Sequence, residues 1–98
     1  MKLYESPSPN ARRVHIFMAE KGLECERIEV DIRAAENLST EYLAKNPGGR
    51  VPMLELQDGT CIGESVAICR YMESLQPEAP LFGMPGVEAA KVEMWQRR

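Results

Sequence analysis

The sequence predicts an α/β fold in which a four-stranded mixed sheet is covered by helices. Short segments in which apolar and charged residues alternate are interleaved with segments of helical periodicity. A turn signal at Asp58-Gly59 joins two of the short segments into a hairpin. A chain of 98 residues is long enough to bury one modest core. The order strand, helix, strand, helix, hairpin and helix therefore fits a single α/β unit.

The first strand is predicted at residues 2–5 and the first helix at residues 11–21. Ser6, Ser8 and Asn10 stand among the prolines of the connecting loop, and Asn10 is a natural N-cap. Gly22 can end the helix in the left-handed conformation. The apolar stripe of this helix comprises Ala11, Val14, Phe17 and Met18.

Strands and helices are also predicted in the second half of the unit. Residues 27–31 alternate apolar and charged side chains, as in a half-buried strand, and a short helix is predicted at residues 39–44. Residues 53–56 and 60–62 form the strands of the hairpin. The last helix of the unit is predicted at residues 65–75. Its stripe comprises Ile68, Tyr71, Met72 and Leu75.

A linker and the beginning of a further helix follow the α/β unit. Two prolines among polar residues interrupt the chain after residue 75, which predicts a linker over residues 76–86. From residue 87 to residue 98 a helix begins, and its apolar side has nothing left in the chain to cover it. We therefore expect the chain to be a fragment or a truncated product of a longer protein.

Composition limits the possible functions. The net charge of −3 and the 28% of charged residues are ordinary for a globular domain and disfavour binding to nucleic acid. No signal peptide or membrane span is predicted, so the expected location is the cytoplasm. Cys25, Cys61 and Cys69 lack the spacing of a disulfide, zinc or dithiol framework. His15 has no nearby partners for a metal, so we expect no metal site.

One stretch offers backbone groups to a ligand. Pro52 cannot donate to a sheet and belongs at the start of a strand, which holds Val51 extended with its own N–H and C=O free. Glu64 and Ser65 open a helix whose unpaired N–H groups suit a carboxylate. A peptide-like ligand with an acidic end would meet both features.

These residues resemble the amino-terminal, thioredoxin-like domain of the glutathione transferases, and most closely the bacterial and fungal branches. The resemblance spans nearly the whole chain, through the run Arg13-Val14-His15-Ile16, the pair Asn46-Pro47, the triplet Arg50-Val51-Pro52 and the pair Glu64-Ser65. In that family the residue before a cis-proline pairs with the backbone of the cysteinyl unit of glutathione. An acid-serine pair at the start of the third helix holds the γ-glutamyl end.

The resemblance implies a glutathione-binding domain at residues 1–75, the linker over residues 76–86, and the first helix of an all-helical second domain at residues 87–98. It implies glutathione as co-substrate, a small electrophile as second substrate, no metal, and a homodimer in the full-length protein. The implied binding residues are Arg50, Val51, Pro52, Glu64 and Ser65.

The resemblance leaves open which residue activates the thiol of glutathione. By the resemblance, Ser8 falls near the catalytic serine of some classes and Asn10 falls where the bacterial beta class has cysteine; Ser6 is a further candidate. Tyr4 lies inside the first strand, a position more typical of packing. The serines and Asn10 are also ordinary turn formers, and Glu64-Ser65 is also an ordinary helix start.

Two function classes remain. The first is the glutathione-binding part of an enzyme that presents glutathione thiolate to an electrophile, which is held largely by a second domain. The second is a non-catalytic, transferase-like regulatory or protein-binding module. The pair Glu64-Ser65 favours the enzyme, and the absence of a standard catalytic residue favours the module.

Overall fold

The computed structural model describes residues 1–98. Strands β1 (Lys2–Glu5), β2 (Glu26–Glu29), β3 (Met53–Glu55) and β4 (Cys61–Ile62) form one sheet in the order β2-β1-β3-β4. Strand β1 runs parallel to β2 and antiparallel to β3, and β3 runs antiparallel to β4. The predicted four-stranded mixed sheet is confirmed.

Four α-helices accompany the sheet: α1 (Pro9–Lys21), α2 (Thr40–Lys45), α3 (Ser65–Leu75) and α4 (Val87–Gln96). A single 3₁₀ turn (Glu36–Leu38) precedes α2. The chain between α3 and α4 forms turns without a helix or strand. The bounds of α3 are those predicted from the sequence.

Helix α1 begins two residues earlier than predicted, and the N-cap is Ser8 rather than Asn10. The Ser8 backbone is extended, and its hydroxyl oxygen accepts a hydrogen bond from the backbone N–H of Ala11 at 3.2 Å. Pro9 then occupies the first helical position, where its missing N–H costs nothing. The prediction of Asn10 as the cap was wrong, because the fixed φ of Pro9 suits the first helical position and places the cap one residue before it, at Ser8. Gly22 ends the helix in the left-handed conformation, as predicted.

Strand β2 begins one residue before the predicted range and ends two residues before its close. The pairing with β1 nevertheless reaches Val30, whose backbone N–H donates to the carbonyl of Glu5 at 2.7 Å. Both hairpin strands are one residue shorter than predicted. Leu56 and Thr60 are still paired, because the Leu56 N–H donates to the Thr60 carbonyl at 2.8 Å.

The main core lies between one face of the sheet and helices α1 and α3. Its fully buried members are Leu3, Val14, Met18, Leu54, Ile68, Cys69 and Met72. Helix α2 covers the other face, where Val30, Tyr42 and Met53 form a smaller cluster. Leu75 was predicted to belong to the buried stripe of α3, but it is 44% exposed because it lies in the last turn, where the chain leaves the sheet.

Helix α4 buries none of its residues. Val87, Met94 and Trp95 are all exposed, the first of them to 73%. The apolar side of this helix is thus uncovered in the chain, as the sequence led us to expect. No helix of the protein combines the length and the apolar character needed to cross a bilayer.

Candidate functional site

An open cleft of about 510 Å³ lies where α1, the loop before β3 and the start of α3 meet. The five binding residues predicted from the sequence all line it: Arg50, Val51, Pro52, Glu64 and Ser65. Asn10 and Arg13 of α1 and Gln96 of α4 contribute to its walls. Segments far apart in the sequence are therefore brought together around one cavity.

The loop on the strand side of the cleft is held from behind. The Asn37 side-chain amide donates to the carbonyl of Gly49 at 2.8 Å, and the Asn46 amide donates to the carbonyl of Arg50 at 2.8 Å. The Tyr42 hydroxyl also donates to the Arg50 carbonyl. These bonds fix the backbone immediately before Val51 without using the groups of Val51 itself.

Val51 presents free backbone to the cleft. Its N–H and C=O form no hydrogen bond within the chain. The Val51-Pro52 peptide bond is cis, and Pro52 is buried. An extended ligand can therefore pair with Val51 as a strand would.

The helix side of the cleft carries unpaired N–H groups. Glu64 occupies the N-cap position of α3, yet no side chain caps the helix, and the first paired amide is that of Ile68. Ser65 is therefore the first helical residue, not the cap, and it is buried. Uncapped amides at the start of an eleven-residue helix attract an anion through direct hydrogen bonds and the helix dipole.

Glu64 has a backbone conformation that non-glycine residues rarely adopt, with φ 64° and ψ 119°. Residues held in such conformations cost free energy and are concentrated at ligand-binding sites. Here the unusual turn delivers Ser65 and the following amides into the cleft, while the Glu64 carboxylate stays at its rim, exposed to solvent.

Arg13 is a cleft residue that the sequence did not single out for binding. Its guanidinium donates from Nη1 to the Ser65 hydroxyl oxygen at 2.9 Å. The contact joins residues 52 positions apart, so periodicity could not reveal it. The available signal was its position three residues after Asn10, which places both on the same side of α1.

The three proposed thiol-activating residues are divided between two places. Asn10 lines the cleft, with its side chain exposed and without a hydrogen bond inside the chain. Ser6 and Ser8 line a separate depression of about 710 Å³, together with Glu5 and His15. Nε2 of His15 is paired with the Glu5 carboxylate.

Tyr4 lies away from the cleft. Its hydroxyl donates to Oε1 of Glu55 at 2.8 Å and accepts from Nζ of Lys45 at 2.9 Å. The hydrogen bonds that Lys45 donates to Tyr4 and to Glu55 raise the pKa of Lys45 to about 12. The Tyr4 ring also packs edge-on against Tyr42, with 6.1 Å between centroids, which is the packing role predicted for it.

The cysteines are not activated thiols. Burial raises the pKa of the Cys69 thiol to about 11, and burial also raises the pKa of Cys25 and of Cys61. All three are free. None of them lines the cleft, and none has the lowered pKa that a reactive cysteine needs.

Comparison with known families decides the relationship. The family model of the glutathione S-transferase N-terminal domain matches residues 7–75. The chain belongs to the glutathione S-transferase family. Its sheet and helices are the thioredoxin-like fold of that family's N-terminal domain.

Several proteins of this family are similar along nearly the whole chain. Glutathione S-transferase 2 of Saccharomyces cerevisiae is 36% identical over 101 aligned residues, which include all of this chain and 43% of the yeast protein. A class Gtt2 glutathione S-transferase of Vibrio parahaemolyticus is 48% identical, with a TM-score of 0.86 over 99% of this chain and 48% of that one.

A glutathione transferase homologue from Sulfitobacter was solved with bound glutathione. It is 33% identical to this chain, with a TM-score of 0.86 over 98% of this chain and 46% of that one. The chain thus spans about half the length of each of these three relatives.

Proposed function

We propose that this chain is the glutathione-binding part of a transferase that presents glutathione thiolate to a small electrophile. The observation that carries the proposal is the joint placement of the free backbone of Val51 and the uncapped start of α3 at Ser65 in one cleft. The cysteinyl backbone of glutathione would pair with Val51. The γ-glutamyl carboxylate would accept hydrogen bonds from the unpaired amides at the start of α3 and from the Ser65 hydroxyl.

The charges of the cleft match those of glutathione. Glutathione carries two carboxylates and one ammonium group, and the cleft is lined by two guanidinium groups and one carboxylate. Arg13 lies beside Ser65, where it would assist the γ-glutamyl carboxylate. Arg50 would meet the glycyl carboxylate, and Glu64 would receive the ammonium group.

In the proposed reaction the site would stabilise the thiolate of glutathione. A free cysteine thiol has a pKa of about 8.5, and lowering it by about 2 units requires roughly 2.7 kcal/mol of preference for the anion. A few hydrogen-bond donors near the sulfur supply a stabilisation of that size. The thiol proton would leave to solvent when the thiolate forms. The thiolate sulfur would then use a lone pair to bond to the electrophilic atom, as a π bond of that atom opens or a leaving group departs from it with the bonding electron pair.

Asn10, Ser8 and Ser6 are the proposed donors. The Asn10 amide is unpaired and lines the cleft, which supports it first. The Ser8 oxygen accepts the bond that caps α1, but its hydroxyl proton is still available to a thiolate. Ser6, which lines the same separate depression as Ser8, is the third candidate.

The wider proposal concerns the whole protein. The electrophile would be held largely by an all-helical domain that follows residue 86, and the exposed apolar residues of α4 support such a continuation. The three free cysteines fit a reducing compartment such as the cytoplasm. Homodimer formation by the full-length protein is part of the same proposal.

Calorimetric titration with glutathione tests the binding site. Ser65→Ala is expected to weaken binding about tenfold, as for the loss of about 1.4 kcal/mol from a charge-assisted hydrogen bond. Ser74→Ala is the matched control, because Ser74 is an exposed serine near the other end of the same helix. Equal affinities for the two variants would contradict the assignment of Ser65.

Thiolate absorbance as a function of pH tests the chemistry. In the full-length parent, Asn10→Ala and Ser8→Ala are expected to raise the pKa of the bound thiol with little change in affinity. If glutathione binds but its thiol titrates as in solution in the parent as well, the protein is a binding module rather than a transferase.

A further inference from the structure

Lys21, the last residue of α1, is a buried cation far from the cleft. Its side chain is 2% exposed, and Nζ donates to the carbonyls of Gln76, Glu78 and Ala79 at 2.8, 3.1 and 3.2 Å. The carboxylate of Glu73 lies 3.1 Å from the same nitrogen. The three N–H donors of the ammonium group are therefore fully used, mainly by the backbone of the segment that follows α3.

Glu73 continues this network further along the chain. Its two carboxylate oxygens accept hydrogen bonds from the backbone N–H groups of Leu81 at 2.5 Å and of Phe82 at 3.0 Å. One cation and one carboxylate thus hold the segment from residue 76 to residue 82. We call these two residues, with the backbone groups they bind, the linker anchor.

From the linker anchor, contacts lead on to α4. The Phe82 ring packs against Phe17 with 5.4 Å between centroids, and the guanidinium of Arg70 lies 4.3 Å from the centre of the Phe82 ring. The same Arg70 donates to Oε1 of Glu93 in α4 at 2.5 Å. Helix α4, which buries no residue of its own, is therefore placed by the linker and by this ion pair.

Helix α4 in turn reaches the cleft. Gln96, its last residue, lines the same cavity as Arg13 and Ser65. A displacement of the linker would therefore move one wall of the cleft, although Lys21 itself touches no part of it.

We propose that Lys21 is a positioning residue for the glutathione cleft: through the linker anchor it sets α4 and so places Gln96 in the cleft wall. The inference rests on the proposed function, because it concerns the affinity of that cleft for glutathione. A buried ion pair is a costly way to gain stability, and replacement of both partners by well-packed apolar side chains is often neutral. The cation fixes the path of the linker, because its N–H donors bind carbonyl groups of three specific linker residues.

The test is a double-mutant cycle on glutathione affinity, measured by calorimetry at a temperature at which every variant is folded. Lys21→Met and Gln96→Ala are each expected to weaken binding about fivefold, the size of one lost neutral hydrogen bond. The double variant is expected to bind no more weakly than either single variant, because both changes remove the same wall contact. Lys91→Met, at an exposed lysine of α4, is the control and should bind like the parent.

A second variant keeps the inference testable if Lys21→Met does not fold. Glu73→Gln keeps the size of the side chain and an oxygen acceptor while removing the charge, and it should show the same dependence on Gln96. The inference would be overturned if folded Lys21→Met or Glu73→Gln bound glutathione with parental affinity. It would also be overturned if the fold-losses of the single variants multiplied in the double variants. Either result would leave the proposed function standing. Absence of glutathione binding by the parent would instead overturn the proposed function, and this inference with it.

Discussion

The two ends of helix α1 treat their polar groups in opposite ways. At the beginning, Asn10 is exposed and unpaired on the wall of the cleft, and Arg13, one turn later, has a single partner in Ser65. At the end, the ammonium group of Lys21 is buried and surrounded by four acceptors. One helix thus carries donors that remain available to a ligand and a donor set that is saturated by the protein.

The difference separates polar groups that are available to a ligand from polar groups that hold the fold together. Unsatisfied donors at a solvent-filled cleft cost little and can be used by a ligand, whereas a buried cation has to be fully paired. Substitutions at the Lys21 end should accordingly lower stability and reach the cleft only indirectly, through the linker and α4. Substitution of Asn10 should change ligand chemistry with little loss of stability.

The largest effect on stability is expected for Lys21→Met. The change leaves Glu73 and three carbonyls without their common partner, and breaking a buried pair costs about 3 kcal/mol or more. Urea denaturation should report this loss in the free energy of unfolding. The exposed Lys91→Met is expected to stay within about 0.5 kcal/mol of the parent. A similar small loss for both variants would remove the contrast between the two ends of α1.

Two glycine substitutions allow the loop before β3, on the strand side of the cleft, to be compared with the end of α1. Gly49 and Gly22 have nearly the same φ, 65° and 67°, so alanine at either costs about 1 kcal/mol for the left-handed backbone. A Cβ at Gly49 would also lie 3.2 Å from Leu38 and 3.3 Å from Leu43, whereas Gly22 has open space. Gly49→Ala should therefore lower thermal stability more than Gly22→Ala, and the reverse order would contradict the close approach of Leu38 and Leu43 to Gly49.

A smaller effect distinguishes two neighbours at the start of α1. Ser8→Ala removes the N-cap and is expected to cost about 1 kcal/mol, while Asn10→Ala should stay within about 0.5 kcal/mol. Chemical denaturation of both variants checks this difference. A larger loss at Asn10 than at Ser8 would restore Asn10 as the cap and contradict the structure.

Acid provides the smallest and most specific effect. Burial alone would raise the pKa of Glu73, but the hydrogen bonds from Lys21, Leu81 and Phe82 outweigh it and lower that pKa. The resulting stability is present above the ordinary pKa of glutamate and is lost as the pH falls through the lowered folded pKa. The stability deficit of Glu73→Gln should therefore shrink as the pH is lowered below the ordinary carboxyl range. A constant deficit would contradict the role of the Glu73 charge.

Local sequence patterns predicted most of the fold. Periodicity located every strand and helix of the unit, because Val14, Met18, Ile68 and Met72 repeat at the spacing that packing on a sheet requires. The errors occurred at ends: α1 starts at Pro9, and Leu75 is exposed. End positions depend on caps and on where the chain turns away, which an apolar stripe does not encode.

The cleft was predictable only in part. Val51, Pro52, Glu64 and Ser65 were predicted from local backbone properties of proline and of a helix start, and all four line the cleft. The partnership of Arg13 with Ser65 and that of Lys21 with Gln76 join residues more than 50 positions apart. Such pairs are set by the tertiary fold and leave no periodic signal in the sequence.

The most direct test of the account is an NMR titration that compares glutathione with cysteinylglycine, which lacks the γ-glutamyl residue. We expect saturable shifts of the backbone amides of both Val51 and Ser65 with glutathione. Cysteinylglycine should shift the Val51 amide at higher concentrations and leave the Ser65 amide unchanged. Equal responses of the Ser65 amide to the two peptides, or no response of either amide to glutathione, would contradict the central claim that this cleft binds glutathione through these two elements.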